Sequence, residues 1–130
     1  MNQVKTLKQK EKLNTYHVYF WEWDCDNGEY ITKQYYPSEV KAKDISKALD
    51  KIVKWLEQDV KEAESNGWEC DEISGDIVDD NEAYISTTCY KLDKKCVEEY
   101  KDEYEVEDEL NYACSYSHQM GYDIIKANTE

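Results

Sequence analysis

The sequence predicts an α+β fold: two β-hairpins in one antiparallel sheet, packed by a long amphipathic helix and by C-terminal helices, in the order ββαββαα with a short last strand. Three observations carry that expectation. Residues 15–24 read TYHVYFWEWD, a β-branched and aromatic run that alternates Val18, Phe20 and Glu22 against His17, Tyr19, Trp21 and Trp23. Residues 45–65 place Ile45, Ala48, Leu49, Ile52, Val53, Leu56, Val60 and Ala63 on one helical face. From Trp68 onward a second alternating stretch begins, with Ile73, Gly75 and Ile77 on one parity.

The elements follow in order. Residues 1–14 hold four Lys and one Glu with weak periodicity, which suggests a flexible basic arm ahead of a single domain over residues 15–130. The first strand ends at Cys25-Asp26-Asn27-Gly28, whose Asn-Gly pair favours a tight hairpin turn, and residues 30–36 resume the β pattern. Pro37 cannot donate to a ladder, so it ends this strand, bulges it or places it at an edge. Asp44 is placed to cap the long helix and Asn66-Gly67 to end it. A second hairpin then spans residues 68–92, turning at Asp79-Asp80-Asn81-Glu82, with Gly75 marking a bulge or a close backbone approach. Asp93 caps a further helix. Its stripe of Val97, Tyr100 and Tyr104 is out of phase with the stripe of Val106, Leu110, Ala113, Cys114 and Ser117, so a break is expected near residues 105–108. The last helix then runs to Met120, with Gly121 as its cap and residues 122–126 as a short closing strand.

Composition narrows the function. The 130 residues carry 30 Asp and Glu against 16 basic residues, a net charge of −14, and this excludes direct binding to nucleic acid. Every basic residue is Lys, which weakens any case for bidentate recognition of phosphate or carboxylate. Aliphatic residues are few, but 12 Tyr and 4 Trp supply enough apolar area for a folded core. The first 14 residues lack the apolar segment of a signal peptide and no run is long enough to span a bilayer, so a cytoplasmic protein without membrane contact is expected. Five cysteines at gaps of 45, 19, 7 and 18 residues form no C-x-x-C pair; the ordinary reading is reduced, partly buried thiols and no structural metal.

No catalytic motif emerges, and neither an enzyme nor a cofactor is expected. There is no G-x-S-x-G and no phosphate-cradling glycine loop. Cys114 and His118 are four residues apart on the expected last helix, but nearby acids raise a thiol's pKa and argue against a nucleophile. Asp79 and Asp80 offer at most loose binding of a divalent cation.

The charge is polarised. Residues 41–66 are neutral, whereas residues 67–130 hold 18 carboxylates against 5 Lys. Glu98, Asp102, Glu105 and Glu109 follow helical spacing, and Glu99, Glu103 and Glu107 form a neighbouring row. Side chains so spaced lie about 5 to 6 Å apart, comparable with the phosphate repeat of a nucleic-acid strand. Asp76, Asp79, Asp80 and Glu82 form a second cluster in the hairpin turn, placed to extend the same negative surface. A solvated acidic face is the plainer account of such runs. Like charges at helical spacing disfavour the helix, however, and Tyr100, Tyr104, Tyr112 and Tyr116 lie among them, with Tyr100 and Tyr104 best read as core.

In size, in the ββα beginning over residues 15–65 and in the acidic stretch 98–109, the chain resembles a general kind of protein. These are the small, acidic, Lys-rich and Arg-free α+β inhibitors of host defence encoded by phages and mobile elements, among them anti-CRISPR and DNA-mimic proteins. The resemblance implies a non-catalytic inhibitor in the host cytoplasm. Its acids (Asp76, Asp79, Asp80, Glu82, Glu98, Glu99, Asp102, Glu103, Glu105, Glu109) would meet the basic nucleic-acid channel of a nuclease or CRISPR effector. The alternative is an interaction module that binds through an aromatic sheet face, Tyr19, Trp21 and Trp23, with acidity serving solubility.

Overall fold

The structure, a computed structural model, describes residues 12–127. The described residues form an antiparallel sheet of seven strands with three helices, an α+β fold. The basic arm expected over residues 1–14 lies outside the described residues except for its last three, of which Asn14 already belongs to a strand.

Strand β1 (Asn14–Asp24) begins the sheet and runs beside the chain's last strand. Its outer side is shared end to end by two short strands: β2 (Glu29–Lys33) pairs with Trp21 to Asp24, and β3 (Ser38–Ala42) pairs with Asn14 to Val18. Pro37 lies in the gap between them, and Gln34 bridges it. The Gln34 backbone N–H donates to the Phe20 carbonyl at 2.8 Å, its Oε1 accepts from the Phe20 N–H at 2.9 Å, and its Nε2 donates to the Tyr36 carbonyl at 2.7 Å.

Helix α1 (Ile45–Ser65) forms because its apolar residues share one face and both ends are capped. Asp44 accepts from the Lys47 N–H at 2.9 Å, and Gly67 takes φ +92°, the left-handed conformation that turns the chain back. Ile45, Ala48, Ile52 and Leu56 are buried against the sheet. After the helix come β4 (Glu69–Cys70), β5 (Ser74–Asp79) and β6 (Glu82–Leu92), with β4 and β5 both on the outer side of β6. A Cβ on Gly75 would lie 2.5 Å from the Tyr84 carbonyl oxygen, so this glycine marks a close approach; the bulge falls between Ile77 and Asp79.

The C-terminal third departs from the sequence expectation. Helix α2 (Lys94–Tyr100) and helix α3 (Glu107–Ala113) are one or two turns each, and the break spans residues 101–106, earlier than expected. The helix expected to reach Met120 stops at Ala113. In its place β7 (Ser115–Lys126), twelve residues long, enters the centre of the sheet between β1 and β6. The physical reason is that ladders on both sides satisfy its backbone, and His118, Met120, Tyr122 and Ile124 alternate into the core. Gly121 is therefore no helix cap. A Cβ there would lie 2.3 Å from the Ile85 carbonyl oxygen and 2.8 Å from the Trp21 ring, which lies across it.

One face of the sheet, carrying Tyr16, Val18, Ala83, Ile85, Cys89, Met120, Tyr122 and Ile124, forms the core with α1. The cysteines also differ from the expectation of reduced thiols. The fold brings Cys70 opposite Cys89 on paired strands and Cys96 beside Cys114, and both pairs are disulfides; Cys25 is free and exposed. No helix among the described residues is long and apolar enough to cross a membrane.

Candidate binding site: acidic surfaces and an acidic cleft

The carboxylates singled out by sequence are all exposed, and the fold sorts them into two groups. Asp76, Asp79, Asp80 and Glu82 sit at the β5–β6 turn, where Asp79 accepts from the Asn81 N–H at 2.7 Å. Glu98 and Glu99 lie on α2, Asp102, Glu103 and Glu105 on the connecting turn, and Glu109 on α3. The two groups occupy opposite ends of β6, whose eleven residues extend roughly 34 Å at about 3.4 Å per residue. They do not form one continuous negative surface. Nor do the two rows form a regular ladder, because the chain leaves the helix between residues 101 and 106. Glu98 pairs with Lys101 at 2.7 Å and raises that ammonium's pKa. Glu107, Asp108 and Glu109 occupy the first turn of α3, where carboxylates oppose the helix dipole favourably.

Tyr100 and Tyr104, expected in the core, are 40% and 38% exposed, and α2 buries no residue at all. The segment is instead tied down at its root. Asp93 accepts from the Lys95 and Cys96 N–H groups and from the Tyr116 hydroxyl at 2.7 Å. The Tyr116 bond, then the backbone donors, hold its carboxyl below the usual range. The Cys96–Cys114 bridge and the buried Leu110 complete the anchorage.

Beneath this segment lies a feature that composition did not reveal. An open cleft of about 900 Å³ is bounded by the C-terminal half of α1, the β1–β2 hairpin, Trp68, the start of β7 and the base of α2. Phe20, Ile31, Ala63, Trp68 and Met120 give it apolar walls, while six carboxylates, Glu22, Asp24, Asp26, Asp59, Glu62 and Asp93, line it with no Lys among them. Several of these acids have structural work. Asp24 accepts from the Asn27 side chain at 2.6 Å and from two backbone N–H groups, which lowers its pKa. Asp26 accepts from the Ser117 N–H at 3.1 Å. Asp59 accepts from the Tyr122 hydroxyl; burial raises its pKa, the Tyr122 bond opposes that shift, and the Glu62 charge adds to it. Burial and Asp59 together push the Tyr122 phenol well up.

His118 lines the same cleft. It is 8% exposed, its Nε2 lies 3.6 Å from Glu22 Oε2, and its ring meets Trp68 edge-on at 4.5 Å. Its Nδ1 is buried with no hydrogen-bond partner among the described residues. The helical pairing of Cys114 with His118 does not exist: Cys114 is bonded to Cys96, and His118 is on β7. Among the described residues no group of three or more His, Cys, Asp or Glu is arranged to hold a metal ion.

On the opposite face of the sheet no element of the described residues covers the strands. Trp23 packs edge-on to Tyr30 at 4.8 Å with Lys33 Nζ over the Tyr30 ring, and Tyr84 and Tyr90 are exposed. Tyr19, Trp21 and Trp23 are half-buried on this face. Comparison of the chain with protein-family models, with curated proteins and with solved structures found no match.

Proposed function

We propose that the protein is a non-catalytic inhibitory binding protein whose acidic surface occupies a basic, nucleic-acid-binding surface of a partner such as a CRISPR effector or another nuclease. The observation that carries this reading is the segment 98–109. Its carboxylates Glu98, Glu99, Asp102, Glu103, Glu105 and Glu109 are all exposed, Lys101 is the one cation among them, and the segment buries little of itself. Such a surface repels itself and gains most when it meets positive charge. The contact is then an irregular acidic patch, with Asp76, Asp79, Asp80 and Glu82 available to a partner only at the far end of the sheet.

The test is binding to a panel of basic nucleases. Affinity should fall steeply between about 50 and 200 mM salt, as nucleic-acid binding does. Replacing Glu98, Asp102, Glu105 and Glu109 together by Lys should abolish it; unchanged binding by that variant sinks the proposal. A second reading is favoured by the uncovered aromatic face around Trp21 and Trp23. An interface there would scarcely respond to salt and would be lost on Trp23→Ala.

A further inference from the structure

We infer that the Cys96–Cys114 bridge is a redox clasp: thiol–disulfide exchange at this one pair switches residues 94–113 between an anchored and a released state while the sheet stays folded. That the switch also controls partner binding rests on the reading of the acidic segment as the partner-binding surface. The first support is what the bridge encloses. It joins cysteines 18 residues apart, and every carboxylate from Glu98 to Glu109 lies inside the loop so closed. The other ties lie at the root of the segment: Asp93 accepts from the Lys95 and Cys96 N–H groups and from the Tyr116 hydroxyl, and its own N–H donates to the Cys114 carbonyl at 2.7 Å. Within the loop Leu110 is the one buried residue. One buried leucine offsets little of the entropy lost in ordering a chain whose carboxylates repel one another. The covalent link removes the most expanded arrangements of the released chain and tips the balance towards order.

The second support is the contrast with the other bridge. Exposure does not separate the two, since each joins a half-buried cysteine, Cys70 or Cys96, to a buried one, Cys89 or Cys114. Local stability does. Cys89 belongs to the core beneath α1, and Cys70 packs against that core from the paired strand β4. A thiolate reaches that bridge only when the core opens. Neither Cys96 nor Cys114 belongs to that core, and opening residues 94–113 breaks no rung of the β6–β7 ladder, which ends at Leu92 and Ser115. Segments with little buried surface open at the low end of a protein's range of local stabilities, so exchange at Cys96–Cys114 proceeds on a folded sheet.

Closing the clasp takes a disulfide as oxidant, and oxidised glutathione serves. The Cys96 thiolate attacks one glutathione sulfur and expels the other as a thiolate. The Cys114 thiolate then attacks the Cys96 sulfur of the mixed disulfide and expels the second glutathione. Two protein thiols are oxidised, one glutathione disulfide is reduced, and the two thiol protons pass to the two departing thiolates. The same steps in reverse, driven by reduced glutathione, open the clasp.

The experiment exposes the full chain, without denaturant, to glutathione buffers running from oxidised to reduced, traps the free thiols by alkylation, and maps them by mass spectrometry beside hydrogen exchange. Cys96–Cys114 should open at least about tenfold faster than Cys70–Cys89. With that bridge alone open, exchange across residues 94–113 should rise at least about tenfold while β1, β6 and β7 keep their protection. An oligolysine peptide at about 50 mM salt should bind the closed form at least about threefold more tightly than the open one, because the closed form is already ordered. The variant carrying Glu98→Lys, Asp102→Lys, Glu105→Lys and Glu109→Lys should show no such difference. Opening of Cys70–Cys89 first, unchanged protection of residues 94–113 in the open form, loss of protection that spreads into the sheet, or equal oligolysine affinity of the two forms would each overturn the inference. A chain that passes these tests yet binds no basic nuclease would instead remove the proposed function and leave the clasp standing.

Discussion

The sheet with α1 and the segment 93–114 are held together by different physics. In the first, Ile52, Leu56, Val18 and Ile124 are fully buried, and long ladders join β1, β7 and β6. In the second, Leu110 and Cys114 are the buried residues, and order comes from a cap, a tyrosine hydroxyl and a covalent bridge. The difference teaches where the acids are tolerated. A dense carboxylate run adds little repulsion to a core it does not belong to, and it stays exposed to solvent on a segment whose root is fixed.

The largest effect that tests this contrast is in the core. Ile52→Ala, at a fully buried position, should lower unfolding stability by about 2 to 5 kcal/mol. The measurement is the urea midpoint at unchanged slope. Gly121→Ala should follow at about 1 to 3 kcal/mol, because the added methyl meets backbone at Ile85 and the Trp21 ring. Replacing both Cys96 and Cys114 by Ser should do something different in kind. Hydrogen exchange across residues 94–113 should become fast while β1, β6 and β7 stay protected. A global loss of protection would show that the two regions form one cooperative unit. Alkylation without reductant should trap one thiol per chain, Cys25.

The smallest effects are in pH, and they run in opposite directions. Asp59, beside the core, has a folded pKa above its ordinary 3.8. The unfolded chain releases that proton first, so stability falls as pH rises from about 3.8 through the folded value. Asp59→Asn should flatten that slope. Asp93 has a folded pKa below 3.8, so its contribution is present above that value and is lost as pH falls through the folded one. Acid should therefore loosen residues 94–113 before it loosens the sheet, and the NMR protection pattern at low pH checks this.

How far the sequence could be read divides along the same line. Helix α1 was legible to the residue, since eight apolar positions share a face and Asp44 and Gly67 mark its ends. Strand β7 was not. Leu110, Ala113, Cys114, Ser117 and Met120 keep three- and four-residue intervals across the junction between α3 and β7, and Gly121 mimics a cap. The competing alternation of His118, Met120, Tyr122 and Ile124 was present, but only the open ladders of β1 and β6 decide in its favour. The exposed acids were visible in composition. The cleft was not, because its walls come from β1, α1, Trp68, the base of α2 and β7, and topology alone brings those together.

The split outer strands have a consequence for how the molecule behaves in a crowd. A sheet's rim is a template on which another chain can add itself, and long flat rims seed fibrils. Here one rim is cut into β2 and β3, five residues each, around Pro37, and the other into β5 and β4, six and two residues. A second copy arriving at either side finds a short run of open backbone, then a step. Growth by strand addition is checked at both sides of the sheet.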